Sequence, residues 1–109
     1  MSGYKALVKA YWVTYRPGAL AALAENTPPE TFFARVSDEI AERIAEYRDD
    51  FTPPGIPGAD FRDRMREINM ATLRAREKAL HELLYGLPKE PGTEGAEMPG
   101  VALPKIAAW

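Results

Sequence analysis

The chain has 109 residues, a net charge of −2, 46% hydrophobic residues and no cysteine. That length supports one small domain, the missing cysteines exclude disulfides and thiolate metal sites and make a cytoplasmic location the natural expectation, and so balanced a charge builds no broad basic face for nucleic acid. Tyrosine, tryptophan and lysine interrupt the first residues, which do not read as a secretory leader, and no apolar run approaches the ~18 residues of a membrane span.

The charge is unevenly spread. Residues 1–26 carry Lys5, Lys9 and Arg16 against Glu25, whereas residues 27–52 carry seven acids and three bases. The basic first segment is therefore expected to lie against the acidic second.

Residues 4–15 place Tyr4, Leu7, Val8, Tyr11, Trp12 and Tyr15 at alternating steps of 3 and 1. At about 100° per residue these share one stripe of a helix. The competing reading is a strand, favoured by Tyr-Trp-Val-Thr-Tyr. That register would bury Lys5 and Lys9 with Leu7 and Tyr11, so the helix is the better pattern. Pro17 and Gly18 should stop it, and residues 19–25 can form a short second piece.

Thr27-Pro28-Pro29-Glu30 reads as a helix start, with Thr27 as cap and Pro28 at the first position. The long helix that follows carries the stripe Phe33, Val36, Ile40, Ile44, Tyr47 and Phe51. Arg35–Glu39 and Glu39–Arg43 have i,i+4 spacing on its outer faces. A proline-rich turn, residues 52–58, leads to Asp60, which can cap a further long helix, 61–85. Gly86 is expected to end it in a left-handed conformation, with Pro88 preventing resumption. The pattern predicts an all-α fold: a small three-helix bundle, made of an antiparallel helix hairpin plus the N-terminal helix, over residues 1–86. An extended Pro/Gly-rich tail, 87–109, follows.

The last long helix is wider in its apolar arc than one neighbour requires. Phe61, Met65, Ile68, Thr72, Ala75, Ala79 and Leu83 form one stripe, and Met70, Leu73, Leu80 and Leu84 extend it to about 180°. Either this helix is wrapped on two sides or one side meets a second chain or the tail. Arg62, Asn69 and Arg76 recur at seven-residue spacing inside that arc. They must be paired or edge-exposed, their stems covering apolar surface or setting register in a helix–helix contact. The tail is too rich in proline and glycine for its own core, yet carries Val101, Leu103, Ile106 and Trp109. Such a segment docks on its own chain, is captured by a neighbour, or frays.

Chemistry is sparse. His81 is the single histidine, with Glu77 one turn before it, and two ligands make no metal site. Asp38, Glu42, Glu46, Asp49 and Asp50 read as a solvated acidic ladder. Ser2 and Ser37 lack a nucleophile context, and Gly55 and Gly58 build no phosphate loop. The aromatic and basic residues of 4–16 resemble a nucleic-acid surface only in composition.

These readings point to a non-enzymatic interaction module without cofactor, metal, membrane segment or small-molecule substrate. It would be a small helical subunit or adaptor, of a size that suits an accessory subunit of phage or mobile-element origin. A protein partner or homo-oligomer would dock through Arg62, Asn69, Arg76, Leu73, Leu80, Leu84, Val101, Leu103, Ile106 and Trp109. The alternatives are a nucleic-acid-associated regulator acting as a dimer through Arg62, Arg64 and Arg66, and a small metal- or cofactor-binding helical protein.

Overall fold

The computed structural model describes residues 3–55, 58 and 60–105. Regular structure among these is entirely helical: α1 (Lys5–Tyr15), α2 (Pro17–Ala24), α3 (Pro29–Phe51) and α4 (Phe61–Leu80). A single π-helical turn, His81–Tyr85, continues α4. Of the residues expected on the first stripe, Tyr4, Leu7, Val8, Tyr11 and Trp12 are buried, which decides for helix over strand in this segment.

Proline chemistry places the helix boundaries. Arg16 separates α1 from α2 with φ −135°, and Pro17 opens α2 at a position where a missing N–H costs nothing. The start of α3 differs from expectation by one residue. Pro29, not Pro28, is the first helical residue, and Pro28 stands outside with ψ 128° and no side-chain cap. The ring of Pro29 forbids a helical ψ in the residue before it, so Thr27 is one position too early to cap. Asp60 does cap α4, its Oδ1 accepting the Arg62 amide at 2.8 Å.

The end of the long helix also departs from expectation. Gly86 has φ −80°, not a left-handed value. Its N–H donates to the His81 carbonyl, five residues back, at 2.7 Å. A Cβ at Gly86 would stand 2.7 Å from that same oxygen. Glycine is needed here for close approach rather than for positive φ.

Helices α3 and α4 form an antiparallel hairpin, with Ala71, Ala75 and Ala79 buried along α4. Small side chains let the two backbones approach closely. Helix α1 lies on this hairpin antiparallel to α3: the Tyr4 amide donates to Ser37 Oγ at 3.0 Å, while Trp12 meets the Phe32 ring at 4.9 Å nearer the start of α3. Tyr11 meets Tyr85 beyond the end of α4, at 5.9 Å. Helix α1 thus covers the first part of α3 and the last part of α4. The rest of the hairpin projects past Gly3, in a molecule measuring 56 × 28 × 21 Å.

The expected attraction between first and second segments is seen at Glu30, which pairs with Lys5 at 2.7 Å and Lys9 at 3.6 Å. Arg43 turns to Glu46 at 3.7 Å and to Glu82 at 3.0 Å, away from Glu39.

Gly86 marks a change of backbone conformation but not the edge of the packed body. Leu87, Met98, Val101 and Leu103 pack against the core that α1, α3 and α4 share. The tail's backbone is held by side chains of α1 and its C-cap. Tyr11 Oη donates to the Leu87 carbonyl at 2.8 Å, Tyr15 Oη to Ala96 at 2.8 Å, and the Arg16 guanidinium to Pro88. The tail then runs back along α1 past Ala6, Ala10 and Val13 to Pro104, which touches Gly3.

Candidate interaction surface

The breadth of α4 has a specific origin. Its alanine stripe faces α3. A second stripe, Leu80 and Leu84, is enclosed with Leu7, Val8 and Tyr11 of α1 in one core, at 4% and 0% exposure. These two leucines therefore leave the expected docking set. They are core side chains, because α1 and the returning tail cover that flank. Val101 and Leu103 leave it too, being half-buried against their own chain. Leu103 shares a depression of about 420 Å³ with Leu73, Arg76, Leu80 and Tyr85. Ile106 and Trp109 lie outside the described residues.

Arg76 is half-buried and donates from a guanidinium nitrogen to the Pro104 carbonyl at 2.5 Å. It pins the tail across α4. Asn69 is half-buried one heptad earlier, and Arg62, two heptads earlier, is exposed. The seven-residue line thus starts in solvent and ends under the tail, and the cover stops at Arg76.

Beyond that point α4 is open. Leu73 is 37% exposed and Met70 is 54% exposed. Met70 borders a shallow groove of about 480 Å³ floored by Phe51, Pro53 and Ala71 and edged by Arg66 and Arg74. Sequence reading placed Met70 in the wide arc but not among the docking residues, and it is the more exposed of the pair. Beside this groove, cations lie over aromatic rings where α3 and α4 meet, with Lys78 Nζ 4.5 Å from the Tyr47 ring centre and Arg74 5.0 Å from that of Phe51.

Electrostatics at the end of α4 serve to hold the helices together. Glu82 accepts from Tyr47 Oη at 2.5 Å and from Arg43 at 3.0 Å. The Tyr47 hydrogen bond, helped by Lys78 and Arg43, holds the Glu82 carboxyl below its ordinary 4.5. Burial pushes the hydroxyls of Tyr11 and Tyr85 up from 10.0.

His81 is exposed, next to Glu77 and Lys78 in an open depression. Among the described residues no three His, Cys, Asp or Glu side chains converge as metal ligands, and no helix is long and apolar enough to cross a membrane. Ser37 is buried, accepting the amide of Tyr4. No family model, curated protein or solved structure matches this chain.

Proposed function

We propose that this protein is a non-enzymatic interaction module, a helical subunit or adaptor that docks through the uncovered flank of α4. The supporting observation is the paired exposure of Met70 and Leu73 on a helix whose alanine stripe and Leu80–Leu84 stripe are packed. Large apolar side chains side by side above an apolar groove mark an interaction site more often than singly scattered ones. On this reading α1, α3 and α4 act as one three-helix bundle and the tail as a strap that stiffens it. Arg62 and Asn69 frame the docking face, and Arg76 anchors the strap at its border.

The test is comparative purification from the native source with the wild type and with Met70→Glu/Leu73→Glu. A partner held by the wild type and released by the double variant, at equal helical content by circular dichroism, is the expected result. Equal recovery with both proteins would refute the reading.

A further inference from the structure

The open flank of α4 has a self-complementary order of side chains. Arg66, Met70, Leu73 and Glu77 follow one another at spacings of four, three and four, and all four are exposed. At about 100° per residue they fall within roughly 60° of one line, the seam by which helices pair in coiled coils. The two central residues are apolar and the two outer ones carry opposite charges.

From this arrangement we infer that the partner of this face is a second copy of the chain, its α4 lying antiparallel across a two-fold axis between Ala71 and Thr72. That operation sets Met70 against the partner's Leu73 and Leu73 against the partner's Met70. The same operation sets Arg66 against the partner's Glu77, and Glu77 against the partner's Arg66. A two-fold contact requires this reciprocity, each residue meeting the one that meets it. A parallel arrangement would put Arg66 on Arg66 and Glu77 on Glu77, so the charges select the antiparallel one.

Arg66 and Glu77, the charged residues of the seam, are both exposed. Among the described residues Arg66 pairs with Asp63 at 3.8 Å, with both side chains more than half exposed, an arrangement that holds weakly. Along about 17 Å of helix from Arg66 to Glu77, such an interface is at the small end for a specific complex. The dimer should therefore be concentration-dependent in the micromolar range.

This inference rests on the reading of the α4 flank as a docking face and names its occupant. The test is sedimentation equilibrium of the full chain at ~1–200 μM, a range bracketing micromolar dissociation constants. The wild type should rise from 12.1 kDa toward twice that mass. Arg66→Glu and Glu77→Arg, each placing like charges opposite one another at both ends, should each weaken association about tenfold or more. The double variant, and an equimolar mixture of the two single variants, should recover it.

A wild type that stays monomeric over this range overturns the inference, as does a mass indifferent to the charge reversals or no recovery in the double variant. A monomer whose α4 flank still captures another protein, lost with Met70→Glu/Leu73→Glu, would overturn the second copy as occupant and leave the docking face standing.

Discussion

The carboxylate of Glu90, near the start of the tail, takes the place of an N-cap for α2. Its Oε1 accepts the Gly18 amide at 2.9 Å, and its Oε2 accepts Ala19 at 2.8 Å. The Glu90 amide in turn donates to the Tyr15 carbonyl at 2.9 Å, closing the α1–α2 corner from outside. A negative charge at a helix N-terminus also opposes the positive end of the helix dipole.

Glu90→Ala should therefore cost about 1 kcal/mol, the usual value of a lost cap, and should loosen the strap as well as α2. Amide hydrogen exchange is the readout: faster exchange at Gly18, Ala19 and Thr93 with α3 unchanged is expected. Gly18→Ala should act in the same direction, because its Cβ would stand 2.8 Å from Glu90 Oε1.

The π-turn makes a second prediction. Gly86→Ala pushes a methyl group into the His81 carbonyl, so the turn must open. A loss of about 1–3 kcal/mol is expected, as for overpacked sites, measured as a lower midpoint in thermal melts. Unchanged stability would show that the π-turn is dispensable.

Exposure separates two leucines that sequence reading grouped together. Leu84→Ala should destabilise by about 2–5 kcal/mol, as full burial dictates. Leu73→Ala should stay within about 0.5 kcal/mol, being on the surface. Urea unfolding of both variants checks the pair, and equal costs would contradict the assignment of Leu73 to an open flank.

The Glu82 carboxyl has a folded-state pKa below its ordinary 4.5, first because Tyr47 donates to it and then through Lys78 and Arg43. The unfolded chain binds that proton more readily, so the stabilisation is complete above about pH 4.5 and is lost as pH falls through the lowered folded value. Glu30, held down chiefly by Lys5, adds to the same trend. Melting curves from pH 7 to 3 should show the wild type losing more stability than Glu82→Gln. Parallel pH profiles would contradict the role of Glu82 as a clasp between α3 and the π-turn.

Much of this architecture is legible in the residues themselves. Tyr4, Leu7, Val8, Tyr11 and Trp12 repeat with helical spacing, and Asp60 and the prolines mark the helix boundaries to within a residue or so. What local patterning does not reveal is set at long range. Leu80 and Leu84 look like surplus docking surface until α1 and the tail close over them. Gly86 looks like a left-handed stop until its amide is seen reaching back five residues. Met70 looks like one more residue of a broad arc until the cover is seen to end at Arg76. The signal for the seam was present in the spacing of Arg66, Met70, Leu73 and Glu77. It becomes distinguishable from a packed stripe only once the alanine face is known to meet α3.

The central claim is that the flank of α4 carrying Met70 and Leu73 is where this protein meets its partner. Hydroxyl-radical footprinting by mass spectrometry addresses it directly, comparing dilute protein with protein in its native complexes or at high concentration. Met70 and Leu73 should become protected while Val13, 51% exposed on α1, keeps its reactivity. Undiminished labelling of Met70 and Leu73 in the assembled state would contradict the claim.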